Sequence, residues 1–275
     1  MSKQDIKLGK LKLKNPIILA SGTFDKNIAE KIDINKLGGL VTKTITLEPR
    51  AGNPLPHIFK TRHGWLNSVG WKNPGIKKYL AEELPFWKKF DTEIIPSIGG
   101  FTFSEYIRLA SIFDKQDITF LEADISCINT DKVDKIGDQK IIRGIRKIFR
   151  GTLIVKLAPD IFNICENAKD ALKAGADILT IANTYPAIEL KKSKPIFPRA
   201  IAGYSGGAIK PVTLGMVWQV YRKLKCPIIA SGGVEETQDV LDYLTAGAKA
   251  VQVGSANLLD PEISVKIINE LGRIK

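Results

Sequence analysis

The sequence predicts a single (β/α)8 TIM barrel over residues 1–275, with an N-terminal hairpin and long substrate-side loops. Three observations carry this expectation. Eight short apolar, β-rich runs alternate with segments of helical period, the pattern of parallel strands joined by helices. No linker or low-complexity stretch divides them. The rival doubly wound sheet needs a Gly-x-Gly-x-x-Gly turn close behind its first strand, and none follows residues 16–20.

Residues 6–13 (Ile-Lys-Leu-Gly-Lys-Leu-Lys-Leu) alternate around Gly9 and read as the hairpin. Barrel strands are expected at 16–20, 39–42, 93–98, 118–123, 153–157, 177–182, 227–230 and 250–253. Helices are expected at 27–34, 73–88, 103–113, 140–149, 164–174, 211–224, 237–246 and 261–271, where stripes such as Val240, Leu241 and Leu244 recur at helical spacing. Two of them end in Ala-Gly-Ala, at Gly175 and Gly247, and glycine suits the left-handed position after a helix. After the second strand come two long loops, residues 48–56 and 64–75, the second rich in Gly, Asn and Trp. This second loop suits a wall over the barrel mouth, and its plainer reading is a surface loop. After the sixth strand, residues 188–206 are lysine-rich and irregular, and read as a glycine-hinged flap.

Composition narrows the functional classes. Hydrophobic residues make up 44% and charged residues 25%, as in a globular protein with a large core. No stretch approaches the roughly 18 continuous apolar residues of a membrane span, and the first residues lack a signal-peptide core. Cys127, Cys165 and Cys226 are widely spaced and only two histidines occur, so no metal site is expected. A cytoplasmic location is the simplest. The formal charge of +12 comes from lysines scattered through the helices, which reads as solvated surface and not as a nucleic-acid tract.

Chemistry in such a barrel sits where the strands end. Those ends carry Ser21, Lys43 and Thr44, the segment from Asp124 to Asn129, then Lys156, Asn183 and Thr184, Gly232 and Gly233, and Gly254 and Ser255. Glycines after the seventh and eighth strands let backbone N–H groups approach an anion, and a following helix start adds its dipole, so a phosphate is expected there. Lys43 and Lys156 could close an ion pair, form a Schiff base, or stabilise negative charge on a cofactor. A phosphate site, two cations and the Cys127 thiol together fit a phosphorylated, electron-accepting cofactor. Cys165 and Cys226 read as packing residues.

These residues resemble the soluble class 1 dihydroorotate dehydrogenases, and within them the class 1B group that works with an iron–sulfur/FAD partner subunit. The resemblance runs nearly end to end. It rests on Asn15-Pro-Ile-Ile-Leu-Ala-Ser-Gly-Thr-Phe24, Thr42-Lys-Thr-Ile-Thr-Leu-Glu-Pro-Arg-Ala-Gly-Asn-Pro54, Leu66-Asn67 with Gly70, and Ile125-Ser-Cys127 with Asn129. Val155-Lys-Leu157, Asn183-Thr184, Ser205-Gly206, Gly232-Gly233 and Val251-Gln-Val-Gly254 continue it. It implies FMN across the mouth, held by Ala20, Ser21, Lys43, Thr44, Ser97, Asp124, Lys156, Ala182, Gly206, Gly232, Gly233, Gly254 and Ser255. Substrate is expected on Lys43, Asn67, Ser68, Val69, Gly70, Trp71, Asp124, Asn129, Asn183 and Thr184. Cys127 is the implied base, taking the C5 proton of dihydroorotate while hydride passes from C6 to flavin N5. An ordinary thiol has a pKa of about 8.5, so such a site must make thiolate available.

The resemblance further implies a homodimer core in a heterotetramer with the partner subunit, and NAD as final acceptor. The family's membrane-bound branch carries an N-terminal extension not seen in this sequence. Four positions depart from the family pattern: Asp124 stands for Asn, Ile128 for Pro, Ser97 for Asn and His57 for Arg. Asp124 only accepts hydrogen bonds when ionised. It is expected to be protonated, to pair with a lysine, or to mark a different ligand. The alternatives are a related FMN barrel acting on another dihydropyrimidine or on transfer-RNA uridine, or a non-catalytic homologue.

Overall fold

A computed structural model describes residues 6–116, 118–126 and 137–274. Parallel strands form a barrel, each on one of the expected apolar runs, with Phe120–Asp124, Thr152–Lys156 and Ile228–Ser231 each reaching one residue beyond the expected bounds. They are Ile17–Leu19, Gly39–Val41, Glu93–Ile95 continued by Ser97–Ile98, Phe120–Asp124, Thr152–Lys156, Ile178–Ile181, Ile228–Ser231 and Ala250–Val253. The last pairs with the first, Val251 opposite Ile17, and the third bridges the second and fourth in two pieces. Its interruption falls at Pro96, which has no N–H for the ladder but whose carbonyl still accepts from the Glu122 N–H at 2.8 Å.

Side chains alternate across each strand. Toward the strand beginnings, Ile18, Val41, Ile95, Phe120, Ile154, Ile178, Ile229 and Ala250 form an apolar cluster. The hairpin of Ile6–Leu8 and Leu11–Leu13 inserts Leu8, Leu11 and Leu13 into that cluster and plugs this end of the barrel. Outside, the helices cover the sheet in a second, larger core. Phe103–Lys115 starts on a Thr102 cap that accepts from the Glu105 N–H. Ile164–Ala174 and Thr237–Ala246 end at Gly175 and Gly247, both left-handed as expected.

Three expectations are corrected. The segment 73–88 is not one regular helix but Gly75–Lys78, a π-helical turn at Tyr79–Glu83, and Leu84–Trp87. Pro85 cannot give the backbone bond that regular helix would require there, and the wider turn precedes it. The segment 27–34 likewise divides into Ile28–Lys31 and a short 3-10 turn, Ile34–Lys36, where the Asp33 side chain accepts from the Asn35 N–H. Finally, residues 188–206 are not an irregular flap. Leu190–Lys191 and Lys194–Pro195 pair, and Ala202–Ser205 joins Tyr185–Ala187, Gly64–Asn67 and Ile58–Thr61 in a four-stranded antiparallel sheet. Leu66, Phe197 and Ala202 give that sheet its own small core. The loops after the second and sixth strands thus build one roof. Among the described residues no helix is long and apolar enough to cross a membrane.

Candidate active site

Between the apolar plug and the roof lies a cavity with a polar floor. Two residues above Phe120 on the same face of its strand comes Glu122, and two above that Asp124. Glu122 is fully buried, and its Oε2 accepts from the Thr180 hydroxyl at 2.9 Å and the Gln252 Nε2 at 2.7 Å. Gln252 turns its Oε1 to the Lys156 Nζ, 3.3 Å away. Glu122 and Thr180 are not among the residues the sequence singles out, and Gln252 stands there only inside the motif Val251-Gln-Val-Gly254. A charged or amide residue inside an apolar strand was the available signal, since such groups are rarely buried without a partner.

Most of the expected residues converge on this cavity. Ala20, Ser21, Lys43, Thr44, Asp124, Lys156, Ala182, Asn183 and Thr184 line it from the barrel strands. Gly232, Gly233, Gly254 and Ser255 line it from the ends of the last two strands, and Asn67, Val69, Gly70 and Trp71 from the roof. Three stand elsewhere. Ser97 is fully buried behind the wall, its hydroxyl 3.0 Å from that of Thr44, which in turn lies 3.2 Å from that of Ser21. Ser68 is buried too and accepts from the Asn53 Nδ2 at 3.1 Å. Gly206 lies against Gly64, where a Cβ would come within 2.7 Å of the Gly64 Cα. Cys127 and Asn129 fall outside the described residues.

The glycine segments fit an anion, with one correction. No described acceptor takes the backbone N–H of Gly232, Gly233 or Gly254. Gly233 has φ +69, and a Cβ there would lie 2.7 Å from the Lys210 backbone, so only glycine keeps this approach open. The expected help from the start of Thr237–Ala246 is not free, however. Asp239 accepts from the Glu235 and Glu236 N–H groups in a capping box and answers that dipole itself.

Asp124 is held by four donated hydrogen bonds. Its Oδ1 accepts from the Ser126 N–H and hydroxyl, at 3.2 and 3.1 Å, and from the Asn183 Nδ2 at 3.2 Å. Its Oδ2 accepts from the Trp71 Nε1 at 3.2 Å. Trp71 is buried at φ 54, packs edge-on against Phe101, and lies so close to Gly99 that a Cβ would come within 2.7 Å of its ring. Its carbonyl accepts from the Asn73 Nδ2 at 2.7 Å, while the Asn73 Oδ1 accepts from the Thr46 and Gly75 N–H groups. That asparagine therefore pins the roof loop to the barrel. Beside the site, burial pushes the Tyr185 hydroxyl above its ordinary pKa, although its bond to the Thr213 hydroxyl at 2.9 Å acts the other way.

A sequence model described as dihydroorotate dehydrogenase matches residues 4–274. The chain belongs to the dihydroorotate dehydrogenase family. Among its relatives, a protein of Petrotoga mobilis is 41% identical over 273 residues, covering 96% of this chain and 91% of that one. One of Geotalea uraniireducens is 40% identical over 280 residues, covering 97% and 92%. One of Thermoanaerobacter pseudethanolicus is 38% identical over 273 residues, covering 96% and 90%. All three are named dihydroorotate dehydrogenase B (NAD(+)), catalytic subunit. In this member of the dihydroorotate dehydrogenase family, no ion pair among the described residues gives Asp124 the lysine partner that was one of its three alternatives, and its described partners are neutral donors.

Proposed function

We propose that this chain is the FMN-bearing catalytic subunit that oxidises (S)-dihydroorotate to orotate in pyrimidine biosynthesis, passing electrons to NAD through an iron–sulfur/FAD partner subunit. The observation that carries this is one cavity combining two lysines, an anion-ready glycine rim and a roof of amide and indole side chains in a member of this family. The donor set suits FMN. The N–H groups of Gly232, Gly233 and Gly254 match a phosphate, and Lys43 and Lys156 match the negative charge that accumulates on a reduced ring. When bound, FMN supplies the acceptor for the hydride that leaves C6.

The chain's own residues would do the rest. Lys43 meets the substrate carboxylate together with the roof loop, and Asn67 is steadied for this by donating to the Gly203 carbonyl at 3.1 Å. A carboxylate at position 124 offers acceptors only, and the ring N–H groups of dihydroorotate are matching donors. Asp124 therefore remains compatible with this substrate, and the antiparallel roof keeps water from the reacting carbons. Cys127 is assigned the C5 proton on its motif alone.

The test is anaerobic addition of dihydroorotate to the purified yellow protein. The visible flavin absorption should bleach and orotate should appear. A protein that is colourless and takes up no FMN, or a flavin that dihydroorotate leaves oxidised, overturns the assignment. Co-purification of an iron–sulfur flavoprotein checks the acceptor chain.

A further inference from the structure

The cavity floor contains one group that nothing so far uses. Glu122 is fully buried, and while its Oε2 accepts twice, its Oε1 is buried without any hydrogen-bond partner among the described residues. An unpaired buried carboxyl oxygen is costly. Here it comes with a geometric effect. The Gln252 amide lies between the Glu122 carboxyl group and the Lys156 ammonium. Turned over, it would set oxygen against oxygen on one side and N–H against N–H on the other. Only one orientation works, and it presents a carbonyl oxygen to Lys156. Gln252 is the only described hydrogen-bond partner of that lysine, so the rest of the Lys156 donor capacity is left for the cavity.

We propose that Glu122 is a positioning residue that acts through Gln252 to hold Lys156 against the reduced flavin, so that it helps set the flavin's reduction potential without touching it. The proposal rests on the flavin reading of the cavity. Thr180 supports it from the far side of the Lys156 strand by fixing the same carboxyl oxygen, so Glu122, Thr180 and Gln252 anchor the bridge on three strands of the barrel. Loss of the bridge frees the lysine to swing among its rotamers, and a mobile cation stabilises charge less than a fixed one.

The experiment measures the reduction potential of bound FMN by equilibrium dye titration in wild type, Glu122→Ala, Glu122→Gln, Lys156→Met and the Glu122→Ala/Lys156→Met double variant. Lys156→Met is expected to weaken binding of reduced relative to oxidised FMN at least tenfold, about 30 mV for a two-electron couple. Glu122→Ala should shift the potential in the same direction by a comparable factor. The double variant should match Lys156→Met alone, because both act through one cation. Glu122→Gln, which keeps an acceptor toward Gln252 and Thr180, should recover most of the wild-type value. If Glu122→Ala leaves the potential unchanged, or adds its shift in full to that of Lys156→Met, the positioning role is wrong. Should Glu122→Ala fail to fold, Gln252→Leu breaks the same bridge and carries the same expectation. A Lys156→Met protein with an unaltered potential overturns the flavin reading of Lys156, and the proposal falls with it.

Discussion

At the residue scale, the Trp71 indole donates to the Asp124 carboxyl group at 3.2 Å. Trp71→Phe removes the indole donor and should cost about 0.5–1.5 kcal/mol of stability, the net worth of an ordinary hydrogen bond. Asp124→Asn keeps an oxygen for Ser126 and Asn183 but turns N–H toward N–H at Trp71. The double variant should therefore be more stable than the two single losses predict, by about 0.5–3 kcal/mol. Denaturant titration of the four proteins checks this, and simple additivity would deny the coupling. The same residues show what a sequence reveals at this scale. Lys43, Lys156 and Asn183 were legible because strand ends announce themselves as breaks from apolar to polar. The hydrogen bonds of Asp124 were not, because Trp71 and Asn183 lie 53 and 59 positions away and only folding brings them together. Glu122 and Gln252 escaped for the same reason: their partner is each other, across 130 positions.

Among elements, the barrel strands and the two Ala-Gly-Ala helix ends were readable from period and from local backbone demand. The roof was not. Its strands are two to four residues long, partly exposed, and interrupted by glycine and proline, and the pairing of Gly64–Asn67 with Ala202–Ser205 that joins its two halves is remote in sequence. Nothing local marks such a sheet. Two substitutions test the elements that were legible. Gly247→Ala places a Cβ within 2.1 Å of the Tyr221 ring at φ +111, and should destabilise by at least about 1 kcal/mol, seen as a lower midpoint in denaturant. Leu11→Ala in the hairpin should cost about 2–5 kcal/mol, because the plug is fully buried and has little room to collapse.

Helix Lys210–Leu224 is also tied to helix Thr237–Ala246 through Lys210, whose Nζ lies 2.5 Å from Asp239 and 2.6 Å from Asp242. Burial works against this ammonium, yet the hydrogen bonds to the two carboxylates outweigh it and raise its pKa. The bond from Lys210 lowers that of Asp242. The Asp242 contribution to stability is thus present above the ordinary carboxylate range and fades as pH falls through the lowered value. The Lys210 contribution is present below the ordinary lysine range and fades as pH rises through the raised one. Melting temperature followed against pH should lose part of its acid-side slope in Asp242→Asn, and an unchanged slope would remove this clamp from the account.

For the whole molecule, the formal +12 and an anionic substrate belong together. Field lines from many dispersed lysines raise encounter rates, and salt screens them over a Debye length of about 8–10 Å. The value of kcat/KM for dihydroorotate should therefore fall as salt is added while kcat stays nearly level, and a salt-independent kcat/KM would leave the charge without this role. The hairpin plug has a consequence of its own. A vessel stoppered at the bottom fills from the top, so whatever lodges deepest must arrive first and can depart only after the tenant nearer the entrance has gone. Occupancy is then ordered by depth: the proposed prosthetic group would stay in residence through many visits, and each product would have to vacate before the next guest is admitted.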